Sequence, residues 1–444
     1  MGSEWREAFL TELYEIRSGL SKPAKDFGAG YPFLAFKDVF YNFFVPESLS
    51  QLVQSSEKER ESCSVRRGDI FLTRTSETMH ELGMSCVALK DYEHATFNGF
   101  TKRLRPKSGI DVIPEYAGYF LRSSKFRNEM MAFSTMSTRA SLNNEMISCL
   151  KLVIPPLPEQ KVIAHVLGSL DDRIELNRRM NETLESMAQA LFKSWFVDFD
   201  PVIDNALARG NEIPSALRAK AELGMLNAEV KNNSSFILHN SSFHHLFPDE
   251  FTYGDGLGWI PKGWEVGTVG DILDRLKVKK RYKKKDVVDY GLTPVYEQGA
   301  NLLLGYHDGE AEIKATPEAP AFIFGDHTCV KKLSCEPFSI SENVIPLKGK
   351  QYPTFWVYYA MQDKQSFEEY RRHWMELIIK PVILPSVGLG SAFSLIVKDW
   401  SLKIMVFSHQ QATLSKLRDT LLPKLLSGEL RIPDSEKMVE ELAL

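Results

Sequence analysis

Three short sequence patterns recur in the same order in the two halves of this chain. They start at these pairs of residues: Trp5 and Trp264, Pro114 and Pro353, Leu150 and Leu402. The separation between the copies differs from one pattern to the next, so each copy has its own insertions. A repeat that keeps its order over this length predicts a fold built from two copies of one structural unit.

Each copy consists of a mixed body followed by a helical tail. In the first body, Asp69–Leu72 and Leu152–Ile154 are short apolar runs that predict buried strands. Tyr116–Met131 has apolar residues at helical spacing. In the second body, Ala321–Phe324 and Leu395–Val397 predict strands. The expected fold class of both bodies is therefore α/β (α+β).

The tail of the first copy predicts a long helix. Pro158 followed by Glu159 is typical of the first turn of a helix. Seam residues then follow at steps of four and three, the spacing of a coiled coil. They are Ile163, Leu167, Leu170, Ile174, Asn177, Asn181, Leu184, Ala188, Leu191 and Trp195. An amphipathic helix on a globular core is the alternative. The two asparagines favour the coiled coil, because buried polar seam residues fix its register.

A shorter tail of the same kind ends the second copy. Its seam is predicted at Leu414, Leu417, Leu421 and Leu425. Gly428 is the expected end of this helix, since glycine adopts the left-handed conformation that ends many helices. Pro423 is expected to kink or end it earlier.

Composition limits the classes of function. With 444 residues, the chain is long enough for two or three domains. Its net charge is −4 and its pI about 6.3, whereas a free-standing nucleic-acid-binding domain is usually strongly basic. Any DNA-binding surface is therefore expected to be local, or to be completed by a partner.

Neither a metal site nor a membrane segment is predicted. The five cysteines form no CxxC pair, and the spacing of His327, Cys329 and Cys335 fits no zinc pattern. The sequence has no run of 18 apolar residues and no secretory signal at its start. The expected location is the cytoplasm.

Five strings of residues resemble one family, the DNA-specificity subunits of type I restriction-modification systems. Leu157–Gln160 is similar to the start of the family's conserved spacer helix, and Phe192–Val202 to its end. Leu246–Pro248 and Gly258–Val266 are similar to the segments that lead into the second target-recognition domain. Leu421–Leu430 resembles the closing helix. The bodies between these strings match the family only in outline.

The resemblance implies two target-recognition domains joined by two long antiparallel helices that form a coiled coil, with an internal pseudo-twofold repeat. The implied division is a first target-recognition domain at 1–156, a first conserved helix at 157–199, a linker at 200–258, a second target-recognition domain at 259–407, a second conserved helix at 408–430 and a C-terminal tail at 431–444. The second copy has Ser408–Gln411 where the first has Leu157–Gln160, so the start of its helix is less sharply fixed.

The resemblance also implies partners. These are double-stranded DNA, two methyltransferase (modification) subunits and, in the full complex, motor-nuclease (restriction) subunits. S-adenosylmethionine is expected on the methyltransferase, and no cofactor is expected on this chain.

Chemistry of its own is not expected from this chain. The sequence lacks an Asn- or Asp-Pro-Pro-aromatic loop for amino methylation and a Gly-Lys-Ser/Thr phosphate loop. It therefore predicts a non-catalytic subunit. Two alternatives stay open: a fused enzyme that both reads and modifies DNA, and a coiled-coil DNA-binding regulator unrelated to restriction.

DNA contacts are expected where Lys and Arg cluster near polar turns. The densest cluster is Lys277–Lys285, and Gly388–Ser391 is a further candidate turn. The predicted DNA-binding residues are Arg74, Thr75, Lys102, Arg103, Arg105, Arg139, Lys279, Lys280, Arg281, Lys283, Lys284 and Lys285. The predicted helix-packing residues are Ile163, Leu167, Leu170, Ile174, Leu184, Leu191, Leu414, Leu417, Leu421 and Leu425.

Overall fold

The computed structural model describes residues 5–75, 81–134, 141–218, 243–254, 256–299, 301–369 and 371–430. Their contacts divide the chain into two compact units. Unit 1 is the described part of Met1–Leu176 and Gln410–Leu444, and unit 2 is the described part of Asn177–His409.

Unit 1 combines short strands with helices. Its strands are β1 (Arg6–Phe9), β2 (Tyr14–Ser18), β3 (Phe27–Leu34), β4 (Gln51–Val53), β5 (Ile70–Thr73), β6 (Ser85–Val87), β7 (Thr96–Phe97), β8 (Thr101–Pro106) and β9 (Lys151–Ile154). Its helices are α1 (Leu10–Leu13), α2 (Phe36–Tyr41), α3 (Glu57–Ser62), α4 (Pro114–Arg122), α5 (Ser124–Ser134), α6 (Asn144–Cys149) and the first part of α7 (Leu157–Lys193).

Unit 2 has the same mixture. Its strands are β10 (Phe251–Gly254), β11 (Gly258–Pro261), β12 (Glu265–Thr268), β13 (Leu273–Arg275), β14 (Thr293–Tyr296), β15 (Leu303–His307), β16 (Ala321–Gly325), β17 (Lys331–Ser334), β18 (Ser339–Ile340), β19 (Val344–Gly349) and β20 (Pro381–Leu384). Besides the end of α7, its helices are α8 (Asp200–Arg209), α9 (Thr354–Ala360), α10 (Trp374–Ile378) and the first part of α11 (Val387–Ser427). The part of α11 from Gln410 onward belongs to unit 1.

The two units share one sheet topology. Unit 1 has sheets of order β2-β8-β5-β6 and β4-β3-β7, and unit 2 repeats them as β13-β19-β16-β17 and β15-β14-β18. The antiparallel pair β1–β9 of unit 1 matches the pair β12–β20 of unit 2. The predicted α/β (α+β) class and internal repeat are confirmed.

Buried central strands and an aromatic helix form the core of each unit. The β5 sequence Ile-Phe-Leu-Thr is buried at every position, as is the β16 sequence Ala-Phe-Ile-Phe-Gly. Apolar residues on both faces of these strands allow both faces to be covered. Tyr116 and Phe120 of α4 belong to the core of unit 1, and Phe355 and Trp356 of α9 to that of unit 2.

The predicted first long helix is confirmed. It begins at Leu157, with Pro158 in its first turn, and runs to Lys193. In unit 1, its seam leucines Leu167 and Leu170 belong to the same core as Leu421 and Leu425 of α11. The seam residues are covered because this stripe of α7 packs against the body and against α11.

The predicted start of the second long helix at residue 408 is wrong, because α11 begins at Val387. Leu395–Val397 is therefore helical rather than a strand, and Gly388–Ser391 belongs to the start of the helix rather than to a turn. The third sequence pattern is also misassigned in the second copy, since Leu402–Val406 is helical. β20 is the strand that occupies the place of β9.

The physical reason for these errors is an apolar run of α11 that crosses from the buried side of the helix to its exposed side. Leu389, Phe393, Ile396 and Val397 all belong to the core of unit 2. These four residues lie on one stripe at helical spacing, but Leu395, beside Ile396, is 64% exposed. The run Leu395–Val397 is therefore apolar on both the buried and the exposed side of the helix, and a short apolar run of this kind resembles a buried strand.

Two further boundaries differ from those predicted. α11 continues through Pro423 to Ser427 and ends at Gly428, whose φ is +70°. The carbonyl that Pro423 leaves without a donor belongs to exposed Asp419, where water can satisfy it. The predicted linker at 200–258 contains α8, which is ordered because Val202 and Ala206 are buried on one side.

Candidate nucleic-acid interface

The strand β8 presents its basic residues alternately on the two faces of the unit 1 sheet. Lys102 lies opposite Ser18 of β2 and Leu72 of β5, whereas Arg103 lies opposite Arg17 and Phe71. Directly opposed residues of antiparallel strands share a face, and neighbours along a strand point to opposite faces. Lys102, predicted to bind DNA in one cluster with Arg103 and Arg105, is therefore separated from both.

Arg103 and Arg105 attach the segment that follows α3 to the sheet. Arg105 makes a two-point ion pair with buried Asp69, with Nε–Oδ1 of 2.7 Å and Nη2–Oδ2 of 2.6 Å. Arg103 is buried, and its Nη1 donates to the carbonyl of Ser64 at 2.8 Å. Burial lowers the pKa of the Arg103 guanidinium to about 10. A phosphate contact would require either arginine to leave these partners.

We expect Arg105→Ala to destabilise the protein, because it leaves the Asp69 carboxylate buried without its counter-ion. Breaking a pair of this kind costs about 3 kcal/mol, measurable as a lower urea midpoint. Lys102→Ala is the matched control, since it removes a basic residue from the other face of the same strand. Equal loss of stability in the two variants would contradict the structural role of Arg105.

The partners of Lys102 in the described part of the chain are neutral oxygens. Its Nζ donates to Ser18 Oγ at 3.1 Å and to Asn144 Oδ1 at 3.0 Å. Partial burial and, to a smaller extent, the nearby Arg74 guanidinium lower the pKa of the Lys102 amine. An anion bound here would stabilise the charged amine.

Arg74 and Phe100 lie opposite each other at the end of the β5–β8 pair. The N–H of Arg74 donates to the carbonyl of Phe100 at 2.7 Å, which extends the strand register by one residue pair. Arg74 is exposed, and Phe100 is 61% exposed. Thr75 follows and pairs with Ser141 in an isolated bridge. We call the following residues the strand-end patch: Ser18, Arg74, Phe100, Lys102 and Asn144.

In unit 2 the predicted basic residues lie between β13 and β14. We call residues 277–285 the lysine loop. Its lysines are exposed: Lys277, Lys279, Lys280, Lys283, Lys284 and Lys285. Arg281 is instead half-buried and donates to the carbonyls of Ser341 at 2.9 Å and Val344 at 2.7 Å. The loop thus presents a row of ammonium groups and uses its arginine to hold its backbone.

An aromatic stack fixes the middle of the lysine loop. Buried Tyr282 stacks on His307 with ring centroids 4.3 Å apart and planes within 8°. Nδ1 of His307 accepts the N–H of Gly309, so the proton is on Nε2, which donates to Ser339 Oγ at 2.9 Å. Burial and, next, Lys280 lower the pKa of His307 and keep its ring neutral. The flanking lysines therefore start from a fixed backbone.

The two units carry different side chains at equivalent positions of the strand-end patch. In unit 2, the N–H of Asp326 donates to the carbonyl of Asn343 at 3.0 Å, just as Arg74 does to Phe100 in unit 1. Asp326 Oδ1 accepts the N–H of Trp374 at 3.0 Å, at the start of α10. The same backbone hydrogen bond thus joins a cationic and an aromatic residue in unit 1, and an acidic and an amide residue in unit 2, where Asn343 has a φ of +59°.

One predicted residue cannot be placed, and three relevant ones were missed. Arg139 lies outside the described residues. Ser18, Phe100 and Asn144 were not predicted as DNA-binding residues. Alternation along β8 could have separated Lys102 from Arg103, but no sequence signal brings Asn144 of α6 to β8.

The two long helices also carry polar links. In unit 1, Asp171 accepts hydrogen bonds from Arg418 Nη1 at 2.7 Å and from the Tyr119 hydroxyl at 2.8 Å. In unit 2, Asn181 Nδ2 donates to Ser408 Oγ at 3.2 Å, and the Tyr359 hydroxyl donates to Glu185 at 3.0 Å. In each unit a tyrosine of the body thus binds a carboxylate of α7.

The predicted packing residues are covered along both helices. Those that are buried are Ile163, Leu167, Leu170, Leu184, Leu191, Leu421 and Leu425, and those that are half-buried are Ile174, Leu414 and Leu417. Within the described ranges, no cluster of three or more His, Cys, Asp or Glu side chains could hold a metal ion. None of the helices in the part of the chain that the structure describes has a stretch long and apolar enough to cross a lipid bilayer.

Comparison with known proteins gives one family-model match in the first part of the chain and relatives that match over nearly its full length. Residues 2–186 match the model of the type I restriction modification DNA specificity domain. The HindI specificity subunit of Haemophilus influenzae is 24% identical, over 96% of this chain and 100% of that protein. The MjaIX specificity subunit of Methanocaldococcus jannaschii is also 24% identical, over 97% of this chain and 94% of that protein.

A solved structure has a similar fold. The crystal structure of a type I restriction-modification S subunit from M. genitalium matches with a TM-score of 0.51 and 14% identity, over 95% of this chain and 96% of that chain.

Proposed function

The chain belongs to the family of type I restriction-modification specificity subunits, and from this premise we propose that it selects a two-part DNA sequence, one part through each unit. Unit 1 reads its half-site with the strand-end patch. Unit 2 reads its half-site with the equivalent strand end at Asn343, and its lysine loop binds phosphates. Because its target is DNA, the protein acts in the cytoplasm.

The observation that carries this proposal is the repeated strand end with different side chains. Arg74 and Phe100 in unit 1, and Asp326 and Asn343 in unit 2, are joined by the same backbone hydrogen bond at equivalent strand ends. Base edges are distinguished by the side-chain groups presented to them, while the protein backbone only positions those groups. A duplicated scaffold with unlike side chains is therefore suited to read two different half-sites.

Catalysis belongs to partners in this proposal. Two methyltransferase subunits dock along α7 and α11 and carry S-adenosylmethionine, and motor-nuclease subunits join them in the full complex. The low net charge of −4 supports dependence on a partner, because DNA binding draws much of its affinity from cationic groups at phosphates.

We expect the chain alone to bind DNA weakly and the methyltransferase to tighten that binding at least tenfold. Binding should also weaken steeply with salt, since each phosphate contact releases counter-ions. Fluorescence anisotropy of a duplex that carries the target sequence, at one salt concentration, measures this affinity with and without the methyltransferase. Equal affinity with and without the methyltransferase would contradict the dependence on a partner.

A further inference from the structure

Phe100 is an apolar side chain set among cations at the exposed end of the β5–β8 pair. The residue is 61% exposed, although a phenylalanine on a protein surface gains nothing from contact with water. Arg74 lies directly opposite it, and Lys102 lies two residues further along the chain. The patch therefore combines one apolar group with two positive charges.

The backbone of Phe100 is held on two sides. Its carbonyl accepts the N–H of Arg74 at 2.7 Å, and its own N–H donates to Asn98 Oδ1 at 2.7 Å. A ring presented from a fixed backbone loses little further conformational freedom when a ligand covers it. Little of the free energy of its contact with a ligand is therefore offset by ordering of the backbone.

The charges of the patch identify the occupant. The described partners of Lys102 are the neutral oxygens of Ser18 and Asn144, and Arg74 extends from the same face. Two cations without a carboxylate among these partners suit the phosphates of a duplex. Between such phosphate contacts, the apolar group exposed in the major groove is the C5-methyl of thymine.

We propose that Phe100 is a specificity-determining residue that packs against a thymine methyl group in the half-site read by unit 1, while Arg74 and Lys102 bind the adjacent phosphates. This inference rests on the proposed function. The equivalent position of unit 2 is Asn343, an amide that offers hydrogen bonds instead. Sensitivity to the methyl group at this position is therefore confined to the first half-site.

The experiment uses the chain with its methyltransferase partner and a duplex of the mapped target. Each thymine is replaced in turn by uracil, which differs only by the missing methyl group. Wild-type protein is expected to lose affinity about four- to tenfold at one position of the first half-site. Phe100→Ala should bind the unmodified duplex with a similar loss and should no longer respond to that uracil. Phe100→Leu should retain part of the response, and thermal melts verify that both variants fold.

Two controls separate this inference from the proposed function. Arg74→Ala and Lys102→Ala should weaken binding to all sequences and reduce the salt dependence, while keeping the response to uracil. Specific binding by wild type with no uracil response in the first half-site, or an unchanged response in Phe100→Ala, would overturn the role of Phe100 alone. Failure of the wild-type complex to discriminate its target from other DNA would overturn the proposed function itself.

Discussion

Inserting four residues into α7 after Glu182, together with four into α11 after Val406, is expected to lengthen the gap between the two half-sites by one base pair, or at most two. Four helical residues add about 6 Å and about 40° beyond a full turn. A base pair spans about 3.4 Å and turns by about 35°. The rotation thus matches one base pair, and both half-sites should remain unchanged.

The insertion must be made in both helices because they are paired. Asp171 faces Arg418 in unit 1, and Asn181 faces Ser408 in unit 2. The second pair is ten residues further along α7 and ten residues earlier in α11, as expected of one antiparallel register. The positions after Glu182 and after Val406 face each other in this register. Four residues added to α7 alone would shift the residues on one side of the insertion out of register with α11. That variant should therefore support little DNA methylation by the complex.

Sequencing of methylated adenines in cells that carry the variants measures the gap. A two-residue insertion in both helices is the sharper control, since it turns each seam by about 200° and exposes it. That variant should fail to assemble. An active four-residue variant with the original gap would show that the helices do not set the spacing.

Replacing the body of unit 1 with that of a relative is expected to change one half-site completely and leave the other as it was. Each body has its own sheets and its own core. The junction should fall at Pro155–Pro156, because β9 ends at Ile154 and pairs with β1. A cut before β9 would separate that pair and destabilise the new body.

The donor body must also fit the helices that remain. Tyr119 binds Asp171, Trp5 Nε1 donates to Glu159 at 2.8 Å, and Gln160 Oε1 accepts the N–H of Ile113 at 3.0 Å. A donor with the same tyrosine and tryptophan is therefore the suitable choice. Sequencing of methylated adenines in cells that carry the hybrid tests this prediction. A change in both half-sites would contradict reading by separate units.

Local sequence patterns determined the features of this protein that depend on neighbouring residues. The repeated strings predicted two copies of one plan, and the seam from Ile163 to Leu191 predicted α7, because helical spacing is visible wherever one side of a helix is buried. Gly428 marked the end of α11, since its left-handed conformation suits glycine.

The tertiary structure alone decided which side chains come together. The sequence places Lys102, Arg103 and Arg105 in one basic cluster, yet the strand puts Lys102 on one face and buries Arg103 on the other. The start of α11 was hidden for a related reason, since Leu395 is exposed beside buried Ile396 and Val397, and this short apolar run resembles a strand. Asn144 reaches Lys102 only because the fold brings α6 to β8. A sequence pattern gives the spacing of apolar and polar residues along the chain. The face of a sheet that a side chain shares, and the partner that it contacts, depend on strand register and on the packing of distant segments.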